Sequence, residues 1–224
     1  MKNVLSIFAV LGLVAGLFGF HAPAFAGVYS DLTPDQQNSV QKGETVFIAK
    51  EVDGAPWPKA YIYVRIDSTP EEAAAVFSDY NSQKNYIPNI LKSQISKQVS
   101  KTAVNVDYTV HIPVLSDESY TVEDTLSAYD GGTSYKVEWK LVRADSTKSS
   151  DGYARFETLG TATIMAYYNF VVPGSSMAGL VKKQAMKQVQ DVVKAVRTQV
   201  EKERTGGREL LDKQIQTMRG ILSK

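Results

Sequence analysis

Asp117, Glu118, Glu123 and Asp124 crowd four carboxylates into one short stretch of this chain. Two such groups held together can work as general acid and base, one giving a proton while the other takes it. The same residues would also make a plain solvated strand edge. Which applies depends on the face each one takes, because neighbours along a strand point to opposite sides. Other reactive groups are scarce. His111 is the only histidine beyond residue 26, and the chain has no cysteine. Thiolate nucleophiles, Cys/His zinc sites and haem attached through C-x-x-C-H are therefore excluded. The sequence contains no G-x-S-x-G elbow, no G-x-G-x-x-G and no Walker loop. No metal or cofactor is expected, and any catalysis must rest on carboxylates, tyrosines, lysines or water.

Tyrosine is plentiful, at 12 residues, and a phenol can line an apolar ligand while keeping a polar tip. Tyr86, Tyr108, Tyr120, Tyr135 and Tyr168 are candidate ligand-binding residues, with Trp139 and Phe156. Val110 shares the alternation of Tyr108. Leu180, Gln184, Gln188 and Val192 are candidates on a long C-terminal helix. The two amides interrupt its apolar side, so they either sit in water at its border or point inward to a ligand oxygen. Ordinary packing is the alternative for each aromatic. Ala154, Ala162 and Ala166 either leave room for a ligand or face outward.

These residues need a scaffold, and the periodicity describes one. Thr45–Glu51 and Ala60–Asp67 read as strands. Thr69 then caps a helix, with Pro70 at its first position and Glu72 closing a T-x-x-E capping box. Pro88 stops that helical segment. Period-two alternation follows over Lys92–Val99, Val104–Ile112, Glu118–Leu126, Ser134–Val142, Tyr153–Leu159 and Ala162–Val172, with a polar loop over Ala144–Asp151. Short turns between consecutive strands imply an antiparallel meander. From Met177 to about Arg204 an apolar stripe of Leu180, Val181, Ala185, Val189, Val192, Val193, Val196 and Val200 predicts one long helix. Gly206-Gly207 ends it, and 206–224 form an amphipathic tail helix.

A curved antiparallel sheet with one apolar face needs a cover, and the last long helix is the element able to supply it. The order resembles the helix-grip fold of the START, polyketide cyclase and birch-pollen-allergen (SRPBCC) superfamily. The segments that carry the likeness are IDSTPEEAAAVFSDYNSQKNYIPNI, HIPVLSDESYTV, ARFETLGTATIMAYYNFVVPGSS and VKKQAMKQVQDVVKAVRTQVE. The resemblance implies an α+β domain over 27–205, a curved sheet wrapped around the C-terminal helix, and an internal hydrophobic cavity. It further implies a bound lipid, sterol, isoprenoid quinone or polyketide. Many lipid-carrying members have an arginine near the position of Asp117 or Glu118. The acidic stretch here departs from that pattern and weighs against an anionic head group.

Val4–Phe20 is almost wholly apolar, and Ala24-Phe25-Ala26 supplies the small residues of a cleavage site, so 1–26 read as a secretory signal peptide. Lys2 is the only charge lost with it, and the 25 basic and 24 acidic residues become 24 and 24. A chain without net charge or a basic stripe has no general attraction to nucleic acid. The expected protein is secreted, in the periplasm, and binds or transports a hydrophobic small molecule, with a transient membrane contact possible through the tail. A cyclase or hydrolase acting on an apolar substrate in the same cavity is the enzymatic alternative. A protein-interaction module with a filled pocket is the other.

Overall fold

The computed structural model describes residues 27–112 and 116–223. The expected signal segment lies outside them, as do residues 113–115 of the HIPVLSDESYTV stretch. The chain order is α1 (Pro34–Gln41), β1 (Val46–Lys50), β2 (Lys59–Ile66), α2 (Pro70–Ser78), a 3-10 segment (Tyr80–Asn85), β3 (Ile90–Gln98), β4 (Ala103–Val110), β5 (Glu118–Tyr129), β6 (Ser134–Ala144), β7 (Ser149–Leu159), β8 (Ala162–Val172), α3 (Lys182–Gly206) and α4 (Arg208–Leu222). No described helix is long and apolar enough to cross a membrane.

One antiparallel sheet of 8 strands runs in the order β1-β2-β8-β7-β6-β5-β4-β3. Strands β3 to β8 form the meander that their alternation predicts. The detour through α2 lets the chain leave β2 and restart at the opposite edge, so that β8 returns to pair with β2. Asn81 and Ser93 secure that far edge: Ile95 N–H donates to Asn81 Oδ1 at 2.9 Å, and Lys84 N–H donates to Ser93 Oγ at 2.9 Å. An edge donor satisfied by a side chain is closed to another strand.

Helix α2 begins as its capping box requires. Glu72 N–H donates to Thr69 Oγ1 at 3.2 Å, and Thr69 N–H donates to Glu72 Oε2 at 2.9 Å. Ala73 to Phe77 are buried, so this short helix plugs one end of the sheet. Helix α4 docks against it. Leu211, Ile215 and Met218 join the main core cluster. Polar contacts tie the same two helices: Arg208 Nη1 lies 2.6 Å from Glu72 Oε1, and Arg219 Nε lies 2.6 Å from Glu71 Oε1.

Helix α3 has 25 residues, roughly 38 Å at 1.5 Å per residue. It starts later than the predicted Met177, because 175–181 form successive turns instead. Trp57 Nε1–H donates to Ala178 O at 2.8 Å and pins those turns to the start of β2. The predicted loop over Ala144–Asp151 is also shorter, since β7 begins at Ser149. Its polar residues alternate and pair with β8, which polarity alone conceals. The outer face of β2 and β8 is not bare: Val28, Leu32 and Val40 cover Tyr63, Ile164 and Ala166 there. This sheet therefore buries both faces in its middle.

Candidate functional site

Ala185, Val193, Val196 and Val200 seat α3 on the core, while Val189 and Val192 meet open space. Between α3 and the concave face of the sheet lies a cavity of about 240 Å³. That is far above the ~10–15 Å³ that admits one water. Its walls come from β4 (Tyr108, Val110), β5 (Tyr120, Val122), β6 (Trp139, Leu141) and β8 (Tyr167, Val171). Phe77 of α2, Ile87 and Pro88 after the 3-10 segment, and Ile90 at the start of β3 close it from that end. The aromatics are mutually braced. Tyr108 and Tyr120 stack at 5.4 Å between ring centroids, and Trp139 lies 5.2 Å from Tyr167. Gly152 lets Trp139 lie flat, because a Cβ there would sit 2.3 Å from the indole.

Two of the four clustered carboxylates face this space. Glu118 and Asp124 share the inward face of β5 with Tyr120 and Val122, and both line the cavity. Glu123 points to the other face, and Asp117 is exposed beside His111, at 2.8 Å from Nδ1. A solvated edge is thus wrong for Glu118 and Asp124, since strand parity buries them. The two differ in their surroundings. Burial would raise the pKa of Glu118, but Ser146 Oγ–H, Ser146 N–H and Thr147 N–H all donate to it, and together they hold it below the usual carboxylate range. Asp124 has no such help. It is 4% exposed, its Oδ2 has no hydrogen-bond partner, and burial alone pushes its pKa up to about 8. A carboxyl so placed is held mostly neutral near pH 7 and can donate a proton to a hydrogen bond.

No known family model matches the sequence, and no curated protein does. Solved structures do match. The STAR-related lipid transfer protein fragment from Xanthomonas axonopodis superposes with a TM-score of 0.62 at 17% identity, covering 70% of this chain and 93% of that one. Human STARD10 gives 0.61 at 14%, covering 81% and 85%. The Zhui aromatase/cyclase of a Streptomyces species gives 0.52 at 15%, covering 66% and 96%. The chain has the START-like helix-grip fold.

Within the helix-grip frame, Tyr108, Val110, Tyr120, Trp139, Gln188 and Val192 of the sequence candidates come together on the cavity wall. Gln188 does not offer its amide nitrogen to the cavity, because Nε2–H donates to His111 O at 3.1 Å and latches α3 to the end of β4. The other candidates lie elsewhere. Leu180 precedes α3 and is 82% exposed, and Gln184 is on the wet side of the helix. Tyr168 points to the outer face, 5.0 Å from Tyr61 between centroids, with its hydroxyl donating to Asp151. Tyr135 and Phe156 are paired across β6 and β7 at the end that α2 fills, and Phe156 packs on Phe77 at 5.6 Å. Tyr86 turns its hydroxyl to Val76 O at 3.4 Å, away from the cavity. Ala154 packs in the core and Ala166 lies under the N-terminal segment, so neither widens the space.

Sequence reasoning missed Tyr167 and Gln83. Tyr167 was hidden because both faces of β8 are apolar. Gln83 is buried on the 3-10 segment, where Nε2–H donates to Phe77 O at 2.8 Å and Oε1 accepts from Tyr108 O–H at 2.7 Å. Asp124 carried a signal: it falls in phase with Tyr120, Val122 and Leu126.

Proposed function

We propose that this protein binds an apolar small molecule in the cavity between the sheet and α3, and carries or presents it rather than transforming it. The observation that supports this most is the cavity itself. Aromatic and aliphatic side chains make up most of its lining, with a minority of polar ones such as Glu118, Asp124 and Asn169, and among the described residues no lysine, arginine or histidine lines it. Transfer of apolar surface from water into such a site gains roughly 25 cal/mol per Å². The lipid transfer proteins that share the fold support the same reading. The apolar leader over 1–26 supports secretion to the periplasm, with cleavage after Ala26. Native mass spectrometry of the exported protein tests both parts. A bound lipid, sterol or quinone and a chain starting at Gly27 are expected. An empty cavity, together with no rise in melting temperature on adding such molecules, overturns the first part. A retained leader overturns the second.

A cyclase or hydrolase in the same cavity is the second reading. The observation that favours it is Asp124, a neutral acid lining the same cavity as Tyr120 and Tyr167, with ionised Glu118 on the same strand face. Such a pair of carboxyls in different protonation states can serve acid and base steps. The aromatase/cyclase that shares the fold lends this some support. Incubation with an extracted ligand, followed by mass analysis, separates the readings: a carrier returns it unchanged.

A further inference from the structure

Asp124 is an odd residue to find in the middle of a sheet. Its register partners are Val104 on β4 and Trp139 on β6, and its neighbours on the inward face of β5 are Val122 and Leu126. The indole N–H of Trp139 is the one side-chain donor among them, and neither it nor any other described residue makes a hydrogen bond to the Asp124 Oδ2. Burying a polar group without a partner costs free energy, so such a group is explained by something that completes it.

Two further polar atoms near it are also incomplete. Tyr120 and Tyr167 both line the cavity, both lie within the field of Asp124, and neither hydroxyl finds a hydrogen-bond partner among the described residues. Tyr108 is different, since its hydroxyl is spent on Gln83. Glu118 is spent as well, on Ser146 and Thr147. These three open groups line one cavity, with Asn89, Ser150 and Asn169 among its other polar residues, and both tyrosines feel the charge of Asp124.

Resting on the ligand-binding reading, we infer that the cavity selects an apolar molecule bearing an uncharged oxygen, a hydroxyl or a carbonyl, which docks against the Asp124 carboxyl and the Tyr120 and Tyr167 hydroxyls. An oxygen with two lone pairs accepts from these groups, and a hydroxyl can also give its proton to one of them. A carboxylate or phosphate head finds no cation on the cavity wall and meets two acids there, so its desolvation goes uncompensated. An ammonium head would attract Asp124, but it has no lone pair for the tyrosine protons. The high pKa of Asp124 agrees, because the acid already carries its proton near pH 7 and gives up no ionisation on meeting a neutral ligand.

Five dodecyl compounds test this: dodecane, dodecanol, dodecyl methyl ketone, dodecanoate and dodecylammonium. Trp57 and Trp139 both line the cavity, so intrinsic fluorescence at pH 7 reports binding. The alcohol and the ketone are expected to bind about tenfold tighter than the alkane, the factor that an added hydrogen bond supports, and to bind tighter than either ion. Asp124→Leu should bring that preference for oxygen to within about twofold, while Asp124→Asn, which still donates, keeps most of it. If Asp124→Leu does not fold, the Tyr120→Phe Tyr167→Phe double variant reads the same loss. Dodecanoate or dodecylammonium binding more tightly than dodecanol overturns the inference. Dodecane binding as well as dodecanol overturns it and leaves the cavity reading standing. If no member of the series binds, both fail.

Discussion

Asp124 and Trp139 face each other across β5 and β6 as register partners, and both side chains line the cavity. The pairing sets a large aromatic wall of the site against its least expected polar group. Trp139 shields the carboxyl from water, and Gly152 on the next strand gives the indole space to lie there. Three adjacent strands, β5, β6 and β7, thus fix the surroundings of this carboxyl with one residue each.

The pH dependence of stability should carry the signature of Asp124. Its pKa is about 8 in the folded protein and ~3.9 in an unfolded chain. The folded state keeps a proton that the unfolded state releases, so this group's contribution is fully present below pH ~4 and is lost as pH rises towards 8. Its neighbours are silent in that window: burial holds Tyr80, Tyr108, Tyr120 and Tyr167 protonated, and Glu118 stays ionised. Urea unfolding of Asp124→Asn should show an advantage over the wild type that grows between pH 5 and 9. At ~1.4 kcal/mol for each pH unit between the two pKa values, the growth is on the order of a few kcal/mol. Parallel stability curves would show that Asp124 titrates normally.

Gly152→Ala should be costly for a residue in a regular strand. The new methyl would meet the Trp139 ring at 2.3 Å and Tyr168 O at 2.4 Å. Overpacking of this kind costs ~1–3 kcal/mol. A red-shifted or quenched tryptophan emission should accompany the loss, because the indole must move. Unchanged emission and stability would mean that Trp139 does not lie against Gly152.

Val189→Phe should separate folding from binding. Val189 is part-buried on α3 and borders the empty space, so an added ring can enter the cavity without displacing core atoms. The melting temperature should stay within a few degrees, while ligand-induced stabilisation falls by at least the ~1–2 kcal/mol expected from lost apolar contact. Binding that survives unchanged would place the ligand elsewhere.

Met218→Ala should destabilise the whole domain. Met218 is 1% exposed and belongs to the same core cluster as Val76 and Phe77 of α2. Emptying that position should cost ~2–5 kcal/mol in urea unfolding. A tail that is merely tethered would make the change neutral.

Alternation made the eight strands readable before any coordinates, and Thr69, Pro70 and Glu72 announced the start of α2 through capping chemistry alone. Such signals are local: they depend on neighbours within one turn or one pleat. The α3 stripe was equally legible, except at Leu180, where turns pinned by Trp57 replace the first helical residues. The cavity wall was legible only in part. Tyr167 and Tyr168 are adjacent aromatics in a strand apolar on both sides, so periodicity had no means to say which one looks inward. The N-terminal segment that covers the outer face settles it.

The sequence by itself determined the order of elements, the curved sheet with its covering helix, and the absence of cysteine or clustered histidine chemistry. Only the tertiary structure decided that Tyr135 and Phe156 fill one end, that Tyr108, Tyr120 and Trp139 line an open one, and that Asp124 is sealed among them without a partner. The reason is physical: a strand's own residues set which side chains share a face, but whether that face meets a helix, water or empty space depends on elements far away in the chain.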